Sequence, residues 1–439
     1  MGMRYAVELI ALLFLSLSCL HAQETPAALT IDEAVRTALA NNPTIRGARE
    51  QASAAKARIE AASADELPQV SATAQYIHTS TSASFEIPSF TPGVPPGIVS
   101  ISAQDNTITT IATRQELYTG GRISGQVSRA ESLYDVAVAQ LGTTESQLAF
   151  QTRNAYYGVL LAQSLVRSAE QTLASARAQL DVATARFEVG TAAQFDVLRA
   201  QTQVSEAEQS ITQARNQVEI AGVALNRAMG VTLGTVYTLA EPAQAPIPEQ
   251  SLPSLIETAE HQRGEVLAGR AQVAAAAAGI KVAKAARLPD LSASADYEIF
   301  AKENPGQTTG WTFFATVTQE IFDGGRISAN ISEARSLTDQ AQANLEETTR
   351  LVEEDVWDAY LNLQTARQTI ETARVRLRQA QEAYDVAVVR YEAGVGTAVE
   401  LADALAALTS ARTNLDQAIF NYNIAYAQLQ RALGRAVYP

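Results

Sequence analysis

The chain has 439 residues and carries 47 acidic against 33 basic side chains, a formal net charge of −14. Such an acidic protein repels phosphate backbones, so we expect no nucleic-acid partner. With one cysteine and three histidines, a disulfide framework is excluded, and neither a cysteine-rich zinc site nor an iron–sulfur cluster is expected. Only 6 % of the residues are aromatic although 47 % are hydrophobic, so much of the apolar content is alanine, which suits close helix contacts.

Residues 1–22 read as a secretory signal peptide. Arg4 gives a positive start, an apolar stretch runs from Val7 to Leu17, and the segment ends on Ala22, which is typical of a cleavable signal. A membrane anchor is the alternative, but the apolar run is too short to span a bilayer, and no later stretch approaches about 18 apolar residues, so we expect no transmembrane helix. Cys19 is a candidate lipidation site without the leucine expected three residues earlier, and its lipidation stays open.

The rest of the chain repeats itself. The decapeptide that starts at Gln115 recurs in similar form at Gln319, 204 positions later, and the same offset relates Arg-Phe-Glu-Val-Gly at residues 186–190 to Arg-Tyr-Glu-Ala-Gly at residues 390–394. Upstream, the Leu-Pro pair at residue 67 recurs 221 positions later, so the first copy holds 17 extra residues. We predict two structural repeats, residues 23–230 and 254–439, joined by a Pro-rich linker at residues 231–253.

Each repeat is predicted to begin with helix and to continue with strands. Apolar residues follow helical spacing from residue 31 to 67, with a break at Asn42-Pro43. The period then changes to two, which is typical of strands with one apolar face. We predict four strands in all, within residues 68–118 and 289–322. The turn-rich loop at residues 88–97 holds the extra residues of the first copy.

After each Gly-Gly pair, apolar residues recur every three and four positions over a long stretch, which indicates coiled-coil helices. We predict long helices at residues 123–187 and 327–391, followed by partner helices at residues 192–229 and 398–433. The first long helix would extend roughly 97 Å and its partner roughly 57 Å. A helix at residues 44–66, roughly 35 Å long, would cover the remaining length if it stacks end to end with the partner.

The predicted strands are long enough to cross a bilayer at a tilt, at roughly nine to eleven residues each. A four-stranded sheet has two open edges, which cannot face lipid, and four strands cannot close a barrel. Identical copies must therefore combine their strands, eight from two chains or twelve from three, and twelve are wide enough for a channel. A soluble protein whose small sheets pack against something else is the alternative, although the sequence offers no spare apolar element to cover them.

Two motifs occur in both copies. Arg-[Phe/Tyr]-Glu-x-Gly is followed, six residues after the glycine, by Asp196 in one copy and Glu400 in the other, and each strand-to-helix junction reads [Leu/Ile]-[Tyr/Phe]-x-Gly-Gly-Arg. With two hairpins in a duplicated chain, the order of these motifs resembles the TolC-like outer-membrane efflux protein family over essentially the whole mature sequence.

The resemblance implies a mainly α-helical fold with a small membrane β part, built from a duplicated unit of helix, hairpin and long helix pair. It implies a homotrimer whose twelve-stranded β-barrel crosses the outer-membrane lipid and continues into a long α-helical coiled-coil barrel in the periplasm. It also implies two protein partners at the far end, a periplasmic adaptor and an inner-membrane transporter.

The resemblance assigns the adaptor contact to the two helix-to-helix turns. These are Val189, Gly190 and Thr191 in the first copy and Ala393, Gly394 and Val395 in the second. Each glycine also has a purely structural interpretation, since glycine commonly ends helices in the left-handed conformation.

The resemblance also assigns an acidic pore gate to Glu400 and Asp403, with Asp196 as the first-copy counterpart of Glu400. Glu400 and Asp403 share a helix face, and three chains would place six carboxylates in one constriction, which would attract cations and repel anions. Glu400 has an alternative role in a capping box with Thr397, residues 191–194 read as a second capping box, and Asp196 is also explained as a first-turn acid.

One position departs from the family pattern. Some members carry a basic residue two positions after the second-copy glycine, which ties the closed turn to a neighbour, but this chain has Gly396 there. How tightly the gate closes at rest therefore stays open.

Catalytic interpretations lack the necessary residues. His21 lies in the signal peptide, His78 near a strand end, and His261 stands alone, so no metal-ligand spacing is present. We expect no enzyme activity, cofactor or metal, and predict a passive outer-membrane exit duct with a periplasmic gate, fed by an adaptor and a pump. The alternatives are a structural periplasmic coiled-coil protein without a pore and a constitutively open diffusion porin. The long heptad helices argue against the porin, and the cargo and the class of pump stay open.

Overall fold

The computed structural model describes residues 28–80, 84–100, 105–241, 245–246, 250–302 and 306–435. The predicted signal peptide, Cys19 and part of the predicted linker lie outside these residues. The described part of the chain is mainly α-helical and has a smaller β part.

The helices fall into two similar sets, each with two shorter helices before the strands and a very long and a medium helix after them. The described helices are α1 (Ile31–Asn41), α2 (Pro43–Ala64), α3 (Arg122–Glu188), α4 (Gln194–Met229), α5 (Leu252–Gln262), α6 (Gly264–Ala285), α7 (Arg326–Glu392) and α8 (Ala398–Ala432). The long helices α3 and α7 have 67 residues each. α5 starts inside the segment predicted as linker.

The strands are β1 (Gln69–His78), β2 (Ser84–Ile87), β3 (Gly97–Ser100), β4 (Asp105–Tyr118), β5 (Asp290–Lys302) and β6 (Gly306–Thr318). Four of them form an antiparallel sheet in the order β1-β4-β5-β6, and β2 pairs with β3 alone. The four predicted strands are those of this sheet, and the pair β2–β3 was not predicted. The extra residues of the first copy add the pair β2–β3, because β-branched and aromatic residues, which favour strands, flank the turn-rich loop.

The larger sheet has one apolar and one mostly polar face, because directly paired residues point to the same side. Tyr297 lies opposite Ile111 on one side and Trp311 on the other, and Phe313 and Val317 follow on the same face at the strand period of two. In the single chain this face is uncovered, since Trp311, Phe313 and Val317 are 78 %, 61 % and 67 % exposed.

Glycine makes the sharp turns from strand to long helix. The pairs at residues 120–121 and 324–325 all have positive φ, between 61° and 90°, a region that other residues rarely adopt. In the second copy, Asp323 caps α7 by accepting hydrogen bonds from the backbone N–H groups of Gly325 and Ile327. These bonds lower the pKa of the Asp323 carboxyl below its usual value.

The break between α1 and α2 is present at the predicted position. The N–H of Thr44 donates to Asn42 Oδ1 at 2.9 Å, and Asn42 Nδ2 donates to the carbonyl of Ala228 at 2.8 Å. A Cβ added to Gly230 would lie 2.8 Å from the backbone of Asn42. The end of α4 therefore abuts the start of α2, and only glycine fits at the end of α4.

The chain divides into two compact units that cut across the sequence repeats. Within the described residues, one unit comprises the chain up to Arg46, Thr144–Ala259 and the part from Glu353 onward, and the other comprises Gly47–Thr143 and Glu260–Val352. The larger sheet belongs entirely to the second unit.

One buried cluster of the first unit is built around Tyr156, which has no exposed surface. It packs with Ala34, Val159, Leu225 and Met229, and its hydroxyl donates towards the carbonyls of Leu29 and Ala240 at 2.7 and 2.6 Å. Burial raises the pKa of Tyr156 to about 12. The buried hydroxyl joins the start of the described chain to the segment that follows α4.

By length and composition, α6 is apolar enough to cross a membrane. The expectation that no stretch after the signal peptide is long and apolar enough for that is therefore wrong. Within the second unit, small residues allow close contact between α6 and the long helices at two positions. Gly269 of α6 lies against Leu345, and Gly125 of α3 lies against Val282 of α6. Only 17 % of the apolar window is buried in the single chain.

Candidate functional site

The turn between α3 and α4 closes around one carbonyl group. The carbonyl of Arg186 accepts hydrogen bonds from the N–H groups of Thr191 at 2.8 Å and Ala192 at 3.2 Å. Gly190 precedes them with φ +76°, so another residue there would be strained. Val189 is 72 % exposed at the tip.

The turn between α7 and α8 repeats this geometry. The carbonyl of Arg390 accepts from Val395 at 3.1 Å and Gly396 at 2.9 Å, and Gly394 has φ +77°. Val395 is 69 % exposed, and Ala393 is exposed beside it. A Cβ at Gly396 would lie about 3.0 Å from the backbone N of Tyr391, so the tight turn leaves little room for a side chain there.

Arg186 ties the ends of the two long helices together. Its Nη2 donates to the carbonyls of Tyr391 at 2.5 Å and Glu392 at 2.9 Å, and its guanidinium lies 4.4 Å from the centre of the Tyr391 ring. These carbonyls are at the C-terminal end of α7, where a cation is favoured. This arginine belongs to a repeated motif, but its role was not predicted from the sequence. The sequence signal that could have indicated this contact is the aromatic residue that follows the arginine in both copies.

The equivalent arginine of the second copy, Arg390, makes a different set of contacts. Its Nη2 lies 3.5 Å from the carbonyl of Val395 and 3.8 Å from Glu400 Oε2. Arg390 thus stays on its own turn and the start of α8, whereas Arg186 reaches a second long helix.

Glu400 forms the capping box that its sequence suggested. Its N–H donates to Thr397 Oγ1 at 3.1 Å, and its carboxylate accepts from the N–H of Thr397 at 3.4 Å. Asp403 is exposed, and its carboxylate makes no hydrogen bond or ion pair with any described residue. Of these two candidate gate residues, only Asp403 has a carboxylate without a structural task in the described chain.

Asp196 acts as a first-turn acid in α4, since its carboxylate accepts from the N–H of Ala193 at 3.4 Å. The predicted capping box at residues 191–194 is wrong. α4 begins at Gln194 with Ala193 as its N-cap, and the Thr191 hydroxyl donates back to the carbonyl of Arg186 at 3.1 Å. Thr191 cannot cap α4 because it takes part in closing the preceding turn.

Among the described residues, no group of three or more His, Cys, Asp or Glu side chains could hold a metal ion. The candidate site residues lie in the two helix-to-helix turns and in the first turns of α4 and α8. They offer carboxylates, backbone groups and exposed apolar side chains at the tips. Such groups can bind a protein or attract ions.

Comparison with known proteins shows what kind of protein carries this arrangement. A family model described as outer membrane efflux protein matches residues 34–231 and 255–435. The chain belongs to the outer membrane efflux protein family. The two matched segments follow the two predicted repeats, with a gap in the Pro-rich linker.

Relatives of this outer membrane efflux protein agree with its location in the outer membrane. The outer membrane protein OprJ of Pseudomonas aeruginosa is 32 % identical over 177 residues, which are 39 % of this chain and 37 % of OprJ. The outer membrane protein TolC of Vibrio cholerae is 25 % identical over 330 residues, 73 % of this chain and 75 % of TolC. The chain thus spans little more than a third of OprJ but three quarters of TolC.

The solved structure of the outer-membrane channel OprN has the same fold. It superposes with a TM-score of 0.76 at 22 % identity and covers 92 % of this chain and 89 % of OprN. At 22 % identity this similarity shows the fold alone. OprJ, TolC and OprN are named as outer-membrane proteins or channels, and none of the three is named as an enzyme.

Proposed function

We propose that this outer membrane efflux protein is the passive exit duct of a tripartite efflux or type I secretion system. Three identical chains form a twelve-stranded β-barrel in the outer membrane, continuous with an α-helical barrel in the periplasm. A periplasmic adaptor and an inner-membrane transporter deliver the substrate, and the chain has no turnover of its own.

The observation that carries this proposal is the four-stranded sheet with strands β1 and β6 as its edges. Its apolar face is uncovered in the single chain, and among the described residues β1 and β6 each pair with one strand only. Lipid tolerates neither open edges nor a partly closed barrel. Three copies supply twelve strands, which is wide enough for a water-filled channel.

The gate is proposed at the helix turns and the adjoining turns of α8. Asp403 and Glu400 line the constriction, three copies of each, and Asp196 contributes from α4. Asp403 is the strongest candidate because its exposed carboxylate caps nothing. The acids act by attracting cations and repelling anions along the path.

The adaptor contact is proposed at the two exposed tips, Val189-Gly190-Thr191 and Ala393-Gly394-Val395. Both tips present an exposed valine on a turn whose backbone groups are already hydrogen-bonded. An apolar side chain on a fixed turn can be buried by a partner at little cost in ordering. The near-identical geometry of the two turns would give an adaptor six equivalent docking positions around a trimer.

The purified protein in planar bilayers tests the proposal. We expect a trimer whose resting conductance is small and cation-selective, and whose cation selectivity falls when the Asp403 carboxylates are removed by Asp403→Asn. A matched control is Asp358→Asn, which removes an exposed acid of α7 far along the chain from the tips. Absence of any conductance would support a structural spacer, and a large resting conductance unaffected by Asp403→Asn would support an open porin.

A further inference from the structure

We propose that a cleft between α3 and α8 in the first unit binds a small aromatic amine that also carries a hydroxyl group. The cleft has a volume of about 230 Å³ and lies between residues 157–167 of α3 and residues 416–423 of α8, with Glu241 at its rim. Asp416 follows the candidate gate residue Asp403 by 13 positions along α8, which is roughly 20 Å. The inference therefore goes beyond the proposed gate and duct and does not depend on them.

The middle of the cleft has apolar walls from both helices. Leu160 and Leu161 belong to α3, and Ile419 and Phe420 belong to α8. The lining residues recur every three to four positions on each helix, so each helix presents one face to the cleft. An apolar cavity of about 150 Å³ holds benzene, so a cleft of about 230 Å³ has room for a benzene ring with a short polar arm.

Asp416 supplies the cleft with a carboxylate that has no cation beside it. Its Oδ2 accepts a hydrogen bond from Ser164 Oγ at 2.5 Å. Arg412 lies one helical turn earlier, but its guanidinium donates to Gln171 and Gln381, each at 2.9 Å. The Asp416 carboxylate therefore forms no ion pair with any described residue, and an ammonium group on a ligand would complete its charge balance.

The other two charged residues of the cleft neutralise each other. Arg167 Nη2 lies 3.4 Å from Glu241 Oε1, and both side chains are exposed. The cleft thus carries one net negative charge, that of Asp416. This charge attracts a cationic ligand and repels a carboxylate ligand.

Two buried polar side chains line the cleft and have unused donors. Tyr157 and Asn423 are 9 % and 6 % exposed. Asn423 Oδ1 accepts from the N–H of Ala245 at 3.4 Å, but neither Asn423 Nδ2 nor the Tyr157 hydroxyl is hydrogen-bonded to a described residue. Burial raises the pKa of Tyr157 to about 12, so its hydroxyl stays protonated at neutral pH. Because buried donors without acceptors are costly, an oxygen atom on the ligand would be favoured here.

The internal repeat does not account for this combination of residues. At the offset of 204 positions, the four apolar wall residues correspond to Gln364, Thr365, Arg215 and Asn216, and Asp416 corresponds to Thr212. Packing that the duplicated fold itself requires would recur in both copies. The apolar walls around an acid without a cation occur at this one place of the duplicated pattern, which favours a binding role over a purely structural one.

These groups together define the chemistry of the ligand. Its ammonium group pairs with Asp416, and its aromatic ring is buried between the apolar walls, where Phe420 offers a ring for aromatic contact. Its hydroxyl oxygen accepts a hydrogen bond from the Tyr157 hydroxyl. Small pockets of this kind derive affinity from apolar walls and orientation from a few polar groups.

Tyramine is a suitable probe because it combines an ammonium group, one benzene ring and a phenolic oxygen. Isothermal titration of the purified full-length protein in detergent would compare it with two analogues. Phenethylamine lacks the oxygen, and 4-hydroxyphenylacetate carries a carboxylate in place of the ammonium group. We expect saturable binding of tyramine and binding of phenethylamine that is weaker by about two- to tenfold, as for the loss of one neutral hydrogen bond. 4-Hydroxyphenylacetate should not bind.

Two conservative variants assign the contacts. Asp416→Asn keeps an oxygen that can accept from Ser164 and removes only the charge, so it should weaken tyramine binding by about ten- to a hundredfold. Tyr157→Phe should abolish the difference between tyramine and phenethylamine and leave phenethylamine binding unchanged. The matched control is Asp358→Asn, which removes an exposed acid of α7 outside the cleft and should bind tyramine like the wild type.

Absence of saturable tyramine binding to the wild-type protein would overturn the proposal, and so would equal binding of tyramine and 4-hydroxyphenylacetate. Equal tyramine affinities of Asp416→Asn and Asp358→Asn would also overturn it, because the amine would then bind elsewhere on the acidic surface. None of these results depends on conductance, so the cleft and the proposed duct are tested separately.

Discussion

Replacement of Gly120 and of Gly324 by alanine should have different consequences although the two positions are repeat equivalents. Both have positive φ, +61° and +66°, which costs alanine about 1–2 kcal/mol. At Gly120 the new Cβ would also lie 2.8 Å from Leu288 Cβ, where carbon atoms normally stay about 3.5 Å apart, and such overpacking costs about 1–3 kcal/mol. Gly120→Ala should therefore destabilise the chain by about 2–5 kcal/mol.

Within one chain Gly324→Ala has only the backbone strain. In the proposed trimer its new Cβ would meet Leu67 of the next copy, the repeat equivalent of Leu288. It should therefore leave a folded chain that assembles poorly, whereas Gly120→Ala should reduce the amount of folded chain, since total stabilities are only about 5–15 kcal/mol. Sedimentation of detergent-extracted protein, with circular dichroism of each species, separates the two effects.

The control for strain alone is Gly93→Ala in the loop between β2 and β3. Gly93 has φ +90° and open space around it, and it lies outside both hairpin junctions. We expect trimers of this variant at close to the wild-type level. If Gly324→Ala trimers are as abundant and as stable to heating as those of Gly93→Ala, no neighbouring chain lies against Gly324, and the expectation that the next copy packs there is wrong.

The remaining predictions concern the gate and the core. Asp403→Asn should lower cation selectivity in planar bilayers, and an unchanged reversal potential would remove Asp403 from the gate. Arg186→Gln should loosen the tips and raise resting conductance, since hydrogen bonds from a charged donor contribute about 1.5–3 kcal/mol; the same conductance as wild type would contradict this. Tyr156→Phe should lower the free energy of unfolding by about 1–3 kcal/mol in denaturant titrations, because it leaves buried carbonyls with fewer donors. Because burial raises the pKa of Tyr156 to about 12, the contribution of this hydroxyl to the free energy of unfolding should be complete below pH 10 and be lost as pH rises towards 12. Tyr156→Phe should therefore make the alkaline loss of stability shallower. An unchanged dependence of stability on pH would contradict this role of Tyr156.

The helices and the main strands could be predicted because their signals are local and long. A heptad pattern over many turns indicates a helix wherever it packs, and the proline after Asn42 breaks the helix by its own ring geometry. The Gly-Gly junctions were equally visible, since their positive φ values require glycine.

The errors arose where short segments depend on tertiary partners. Ser84–Ile87 and Gly97–Ser100 have only four residues each, too few for an alternating pattern to stand out beside a turn-rich loop. Thr191 fits a capping sequence, but its backbone and hydroxyl serve the preceding turn instead. The bridge from Arg186 to Tyr391 joins residues about two hundred positions apart, and no local pattern reports such a contact.

The differences between equivalent positions of the two repeats carry more information than their similarities. In three cases a first-copy group has a partner in the chain that its second-copy equivalent lacks: the end of β4 has β5, Gly120 has Leu288, and Arg186 has the end of α7. A repeat that closed on itself would satisfy both copies alike. In each case the group without the corresponding partner belongs to the second copy, as expected if identical subunits join head to tail and the first copy of the next subunit supplies that partner.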